Sequence, residues 1–143
     1  MYLLDANVLI YAFRQDSPHH KECYGWLTST LSGEEPVATT SVVELALLRI
    51  STLPSLGKSA APTAEVFKFL EALKGQPAVL RIEPGEDHLR LLADLCTKLN
   101  LRGNNINDAF LAALAMEYGA TLVTADKDFK RFPGLKFISP LSG

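Results

Sequence analysis

The sequence is poor in cysteine and in long apolar runs, which excludes several classes of protein. Its two cysteines, Cys23 and Cys96, lie far apart without CxxC spacing, so we expect reduced thiols on helices rather than a disulfide framework. No apolar run approaches the ~18 residues of a membrane span, and the N-terminus has no basic segment and no cleavable apolar segment. We therefore expect a soluble, cytoplasmic protein.

The chain also lacks an excess of charge of either sign. It has 14 Lys and Arg against 16 Asp and Glu, a formal net charge of −2. This balance gives no global basic signal, so a polyanionic partner would have to be held by a local basic patch or through metal ions. The glycine fingerprint of a P-loop or a dinucleotide-binding fold is missing as well. What is present is 48% hydrophobic content in 143 residues, which fits one domain spanning 1–143.

Strand and helix patterns alternate along the chain, which is typical of an α/β fold with a parallel sheet. Short apolar runs predict strands at 2–5, 37–39, 79–82 and 120–126. Helices are predicted between and after them, at 6–13, 18–33, 41–53, 64–74, 86–99 and 104–118. His88, near the start of the fifth helix, is expected at the surface or as a cap. We expect a three-layer α/β/α domain around a central parallel sheet of four to five strands.

Acidic residues follow two of the predicted strands. Asp5 ends the first strand and is followed by Asn7, whereas Asp126 ends the last strand and is followed by Asp128. Asp108 lies in the first turn of the sixth helix, where the helix dipole alone would also favour an acid. Ligands of parallel sheets bind outside the carboxyl ends of the strands, so we expect these acids to meet at one edge of the sheet.

Glu44 is an isolated carboxylate within the strongly apolar helix 41–53. Leu47 and Leu48 occupy the positions three and four residues further on, so no basic side chain of the same helix is placed to pair with it. Burying an unpaired carboxylate is costly, and metal coordination is the simplest interpretation. Apolar residues cover most of this helix, so one side should face the sheet and the other either a second helix or a partner subunit.

Together, in this order, the motifs resemble those of PIN-domain ribonucleases and, more narrowly, of the VapC toxins of bacterial type II toxin–antitoxin modules. The similarity covers essentially the whole chain and rests on residues 3–11, 40–44, 107–115 and 124–135. The resemblance implies an acidic site formed by Asp5, Glu44, Asp108 and Asp126, with Asp128 as a fifth candidate. It also implies supporting roles for the polar neighbours Asn7, Thr40 and Thr124.

The chemistry of such a site agrees with this resemblance. Four converging carboxylates repel one another unless protons or cations are present, and oxygen ligands in this number suit Mg²⁺ or Mn²⁺. One or two such ions lower the pKa of a bound water and hold a scissile phosphate, so we expect metal-dependent hydrolysis of RNA phosphodiester bonds. We expect Asp5, Asp108 and Asp126 to bind metal directly. Glu44 would bind metal or position the attacking water, and Asn7 would orient the ligands.

The resemblance further implies two protein partners: a second copy of the chain in a homodimer, and a cognate VapB-type antitoxin whose C-terminal segment covers the acidic site. RNA itself would be held by basic side chains that flank the acidic motifs. The candidates for this contact with phosphate are Arg102, Lys127, Lys130 and Arg131. The alternative is that these four side chains are ordinary solvated charges.

Two other functions fit parts of the pattern. A response-regulator receiver also has acids at strand ends, but it needs an acidic pair after the first strand and an Asp at the end of the third. Here Asp5 is followed by Ala6 and Asn7, and the third strand ends at Ile82. The nearer alternative is a catalytically silent PIN-like module that binds RNA or protein. Loss of one of the four acids would favour this alternative, and none of the four is lost. DNA stays open as a substrate, because a metal site recognises phosphate geometry rather than the sugar.

Overall fold

The computed structural model describes residues 1–141, so the last two residues of the predicted domain, 142 and 143, lie outside the described part of the chain. Within it, five parallel strands form one sheet in the order β3-β2-β1-β4-β5. The strands are β1 (Tyr2–Leu4), β2 (Val37–Thr39), β3 (Val79–Arg81), β4 (Thr121–Val123) and β5 (Phe137–Ile138). Helices flank the sheet, as the sequence predicts: α1 (Ala6–Phe13), α2 (His20–Leu31), α3 (Ser41–Ser51), α4 (Thr63–Lys74), α5 (His88–Leu99) and α6 (Asn105–Tyr118).

The pairing of β1 with β4 is the feature of the fold that positions the candidate site. Leu3 pairs with Leu122 and Leu4 with Val123, and all four side chains are fully buried. Strands buried on both faces are usual in parallel sheets covered by helices. The register continues one step further, because the N–H of Asp5 donates to the carbonyl of Val123 at 2.9 Å. The residues that follow β1 and β4 therefore leave the sheet side by side.

Helix α6 is the most deeply buried helix described and carries Asp108 in its first turn. Its alanines and leucines between residues 109 and 115 are buried, and it packs against α5 and β4. Gly119 ends it with φ of 63°, a left-handed conformation that glycine adopts without a steric penalty. The chain then turns directly into β4, so one short connection links the Asp108 helix to the strand that precedes Asp126.

The ends of several elements differ from the sequence prediction. Helix α2 begins at His20 rather than at Pro18, because Ser17 accepts the N–H of His19 at 3.1 Å and forms a turn before the helix. Helix α3 ends at Ser51, and a 3₁₀ helix, Pro54–Ser59, follows. No helix within residues 1–141 is long and apolar enough to span a membrane.

Two predictions about individual side chains have opposite outcomes. Cys23 and Cys96 are free thiols on helices, as expected. The prediction that His88 is a surface residue or a cap is wrong: its side chain is buried, and its Nε2 donates to the carbonyl of Phe110 at 2.9 Å. This bond ties α5 to α6, and it also explains why a polar ring is tolerated in the core.

Candidate functional site

Asp5 lies at the junction of β1 and α1. Its Oδ1 accepts the N–H of Ala6 at 2.7 Å and its Oδ2 accepts the hydroxyl of Thr124 at 2.8 Å. Burial raises the pKa of Asp5 to about 6; the two hydrogen bonds oppose this shift, and the charges of Asp108 and Asp126 add to it. At neutral pH the Asp5 carboxylate is thus a poorly solvated negative charge among others, which a bound cation would stabilise.

Thr124, buried directly after β4, connects the two acid-bearing strand ends. Besides donating to Asp5, its Oγ1 accepts the side-chain amide of Asn7 at 3.3 Å and the backbone N–H of Asp126 at 3.0 Å. The amide oxygen of Asn7 in turn accepts the N–H of Ala125 at 3.1 Å. One donor and two acceptor positions exhaust the capacity of a hydroxyl. Thr124 and Asn7 therefore hold Asp5 and the chain before Asp126 in one arrangement.

Asp108 faces this junction from the first turn of α6. Its Oδ2 accepts a hydrogen bond from Nη2 of Arg131 at 2.9 Å. Burial raises the pKa of Asp108, Arg131 lowers it, and the charges of Asp126 and Asp128 raise it further. The net shift is upward, so the nearby acids and burial outweigh the single guanidinium. The Oδ1 of Asp126 also accepts the N–H of Asp128 at 2.9 Å, which starts the 3₁₀ helix Lys127–Arg131.

Glu44 is not part of this group. No basic side chain of α3 pairs with it, as the sequence predicts, but basic side chains of other elements do. Its carboxylate accepts the hydroxyl of Thr39 at 2.8 Å and lies 3.1 Å from Nη2 of Arg81 and 3.9 Å from Nζ of Lys74. These partners come from β2, β3 and α4, so the spacing along α3 did not indicate them. The charge of Glu44 is thus compensated within the chain, and Glu44 does not line the cavity beside Asp5. Its assignment as a metal ligand stays a prediction.

Thr40, expected to support the acids, is also directed elsewhere. Its hydroxyl lies 3.5 Å from Oε1 of Glu83, which accepts the backbone N–H of Ser41 at 2.7 Å and, through Oε2, its hydroxyl at 2.8 Å. Partial desolvation alone would raise the pKa of Glu83, but these bonds and the nearby Arg81 lower it on balance. Glu83 therefore caps the start of α3 from the end of β3. Its position directly after a predicted strand was the only sequence signal for this role.

A cavity of about 430 Å³ lies beside Asp5 and Asp108, between α3 and α6. Its apolar wall includes Val42 and Leu45, whose side chains are 44% and 62% exposed. Helix α3 packs against α1 and α4, so the alternative that another helix of the chain covers one side of it is confirmed, whereas Val42 and Leu45 are left exposed. The acidic site opens beside an uncovered apolar face.

The predicted basic residues are distributed unevenly around the acids. Lys127 and Lys130 are exposed on the 3₁₀ helix that follows Asp126, and Arg102 is exposed shortly before α6. Arg131, from the same 3₁₀ helix, turns inward to Asp108. Three of the four basic side chains thus point into solvent, and one takes part in the acidic group.

The donor chemistry fits a hard divalent cation. Carboxylate oxygens of Asp5, Asp108, Asp126 and Asp128 act on one another electrostatically, and the pKa values of Asp5 and Asp108 are raised in part by this repulsion. Within residues 1–141, no three acidic, histidine or cysteine side chains are already spaced as a complete ligand set. The carboxylates therefore offer the oxygen donors that such a cation prefers, without a ligand set that is already complete.

Comparison with known proteins places the chain in a family. Residues 2–135 match the PIN domain profile. The chain is 39% identical to ribonuclease VapC31 and 36% identical to ribonuclease VapC25 of Mycobacterium tuberculosis, in each case over 98% of this chain and 99% of the relative. Among solved structures, it is similar to VapBC2 from Rickettsia felis bound to a promoter DNA fragment, with 25% identity and a TM-score of 0.73 over 96% of this chain and 97% of that one. It shares the fold of FitAcB from Neisseria gonorrhoeae, with 20% identity and a TM-score of 0.70 over 98% of each chain. The chain therefore belongs to the PIN-domain family and, within it, to the VapC family.

Proposed function

We propose that this chain, as a single domain, is a divalent-metal-dependent endoribonuclease and the toxin of a type II toxin–antitoxin module. The observation that carries the proposal is the convergence of Asp5, Asp108 and Asp126 beside a cavity, in a chain whose full-length relatives are named ribonucleases. Each acid sits at the end of a strand or the start of a helix, so backbone geometry rather than a flexible loop positions it. Such placement is what hydrolysis of a phosphodiester bond requires.

The proposed site uses carboxylates and one hydroxyl of this chain, each with its own role. Asp5, Asp108 and Asp126 contribute the oxygens that hold the cation, and Asp128 adds negative charge beside Asp108. Thr124 donates its hydroxyl to Oδ2 of Asp5 and so helps to hold this carboxylate in place. When bound, Mg²⁺ or Mn²⁺ supplies a water of lowered pKa and offsets the charge that develops on the phosphate and the leaving oxygen. No serine, cysteine or histidine nucleophile is needed.

RNA is held by the basic side chains around the acids. Lys127 and Lys130 project from the 3₁₀ helix next to Asp126, and Arg102 precedes α6, so positive charge flanks the negative site on two sides. Contacts of this kind bind phosphates without regard to base identity and weaken as salt concentration rises. Selection of one RNA then depends on the shape of the cleft between α3 and α6.

Two protein partners belong to the same proposal. A second copy of the chain covers the exposed apolar face of α3, and a VapB-type antitoxin inhibits the enzyme by covering the acidic site. Support comes from the exposure of Val42 and Leu45 beside the cavity and from the similarity to VapBC2. Apolar side chains that are exposed together in a soluble chain commonly mark an interface.

The test is cleavage of total cellular RNA by the purified, antitoxin-free protein, with Mg²⁺ or Mn²⁺ and with chelator, followed by sequencing of the cut ends. Asp5→Asn and Asp108→Asn are compared with Asp94→Asn, a matched control that removes an exposed acid of α5 paired only with Lys98. We expect discrete, metal-dependent cuts from the native protein and from the control, and a loss of at least about 100-fold in both site variants.

Three results would contradict the proposal: retained cutting by either site variant, cutting that persists in chelator, or no cutting by a folded native protein that binds metal. The last result would favour a catalytically silent module that binds RNA or protein. Circular dichroism of each variant checks that the fold is intact.

A further inference from the structure

Arg131 is a cation placed directly on one of the proposed metal-binding acids. Its Nη2 lies 2.9 Å from Oδ2 of Asp108, and the two side chains are 29% and 34% exposed. Its guanidinium also lies over the ring of Phe132, 5.0 Å from the ring centroid. Arg131 is thus packed in place, unlike its neighbour Lys130, which is exposed on the same 3₁₀ helix.

The ion pair uses only part of the guanidinium. Arginine commonly binds a carboxylate through two parallel hydrogen bonds, one to each oxygen. Here Nη2 binds Oδ2 of Asp108, whereas Nε is buried and makes no hydrogen bond within the described residues. A buried N–H without an acceptor is unfavourable, so the pair is weaker than a two-bond pair would be. Arg131 thus holds Asp108 through one hydrogen bond rather than two.

Asp108 has charges of both signs around it. Asp126 and Asp128 add negative charge near Asp108, and the Arg131 guanidinium lies 2.9 Å from the Asp108 carboxylate. A divalent cation among the same carboxylates would supply the same positive charge. Arg131 and the cation therefore compete for Asp108, because two positive charges at close range repel each other.

We propose that Arg131 is a positioning residue that serves as the internal counter-ion of the site: it holds Asp108 in the metal-free protein and lowers the affinity of the site for a divalent cation. This inference rests on the proposed function, since it takes Asp108 as a metal ligand. It differs from the sequence-based prediction that Arg131 contacts RNA phosphate. Lys127, Lys130 and Arg102 remain assigned to that contact.

The experiment is a calorimetric titration of the full chain with Mn²⁺ at constant ionic strength, without RNA. Arg131→Met removes the charge and keeps most of the side-chain volume. Lys130→Met removes the same charge one residue away without breaking the pair, and Arg131→Lys keeps the charge. We expect Arg131→Met to tighten Mn²⁺ binding roughly tenfold, Lys130→Met to change it less than about twofold, and Arg131→Lys to stay near the native value.

Tighter binding is a result that structural damage would not produce, since a disturbed site binds metal more weakly. Unchanged or weaker Mn²⁺ binding by folded Arg131→Met would overturn the proposal. If that variant also bound a 2′-O-methyl oligonucleotide more weakly, the role of Arg131 would be phosphate contact instead. Asp108→Asn, titrated in parallel, separates this outcome from failure of the proposed function: if its Mn²⁺ affinity equals that of the native protein, Asp108 is not a ligand, and both proposals fall.

Discussion

At the scale of single residues, the hydroxyl of Thr124 has the largest effect on the site. It binds Asp5, which lies 119 positions away in the sequence, and it also accepts from Asn7 and from the backbone of Asp126. A buried hydroxyl with all of its bonding positions used is costly to replace, because each partner loses its bond without gaining water.

Thr124→Val is therefore expected to lower the free energy of unfolding by about 1–3 kcal/mol and to slow RNA cleavage at least about tenfold. Thr39→Val is the matched control, since Thr39, at the end of β2, is equally buried but donates to Glu44 instead. We expect a similar loss of stability in the control, with cleavage close to native. Urea denaturation and a cleavage assay measure the two effects. Equal cleavage by both variants would show that Thr124 has only a structural role.

The raised pKa of Asp5 predicts how the stability of the protein depends on pH. Burial raises its pKa from 3.8 to about 6 in the folded chain, so between these values the folded state binds more protons than the unfolded state. The free energy of unfolding of the metal-free protein should therefore fall as pH rises from about 4 to 6, by at most about 3 kcal/mol from this group, and then level off. Urea denaturation in chelator, repeated across this range, measures it. Asp5→Asn should lack this component and Asp94→Asn should keep it; parallel pH curves for native protein and Asp5→Asn would contradict the assignment.

At the scale of elements, α3 is held at its first turn by Glu83, two residues after the end of β3. The helix begins at Ser41, whose N–H and hydroxyl both donate to the Glu83 carboxylate. The side chain of Thr40 does not cap the helix. A carboxylate at a helix N-terminus is stabilised by the free N–H groups and by the helix dipole. The β3–β2 pairing thus sets where α3 starts, and α3 forms one wall of the cavity.

Glu83→Gln should lower the free energy of unfolding by about 0.5–2 kcal/mol at pH 7, the usual range for a helix cap. The hydrogen bonds from Ser41 and the charge of Arg81 lower the pKa of Glu83 on balance. The stabilisation by the Glu83 carboxylate is therefore complete above its ordinary pKa of 4.5 and is lost as pH falls through the lowered value. Native protein and variant should converge in thermal denaturation once the pH lies below the lowered pKa of Glu83. Glu86→Gln, an exposed acid three residues further on, is the control and should behave as native. A difference that is constant with pH would exclude capping by the charged form.

At the scale of the whole molecule, the outer face of α3 is the part of the fold that the described chain leaves uncovered. Val42 and Leu45 are exposed beside the cavity, and a homodimer would bury them. Leu89 is more exposed still, at 73%, and lies near the start of α5. The Glu117 carboxylate, at the end of α6, accepts the N–H groups of Gly85 and Asp87 just before α5. Unlike Val42 and Leu45, Leu89 does not line the cavity.

Leu45→Asp is expected to shift the proposed dimer to monomer, because a dimer interface would bury the added charge without a partner. Leu89→Asp introduces the same charge outside the proposed interface and should leave the dimer intact. Sedimentation velocity at several protein concentrations measures the change. A monomeric native protein, or a dimer that survives Leu45→Asp, would contradict the proposed interface.

The elements themselves were largely predictable, whereas their contacts were not. Apolar periodicity located β1 to β4 and all six helices because it depends on neighbours along the chain. The two-residue strand β5 carries too few residues to show a pattern, and pairing with β4 is what forms it. The burial of His88 was missed for a related reason, since its acceptor is a carbonyl of α6.

The sequence by itself determined the α/β class, the order of the elements and the strand-end or helix-start positions of Asp5, Asp108 and Asp126, because all of these follow from local spacing. Only the tertiary structure decided which charges meet. The sheet order β3-β2-β1-β4-β5 brings Arg81 to Glu44 on one side and Thr124 to Asp5 on the other, and the chain after β4 returns Arg131 to Asp108. Electrostatic energy depends on distance in space, so Glu44, which looked unpaired along its helix, is compensated, and Asp108 has a cation of its own.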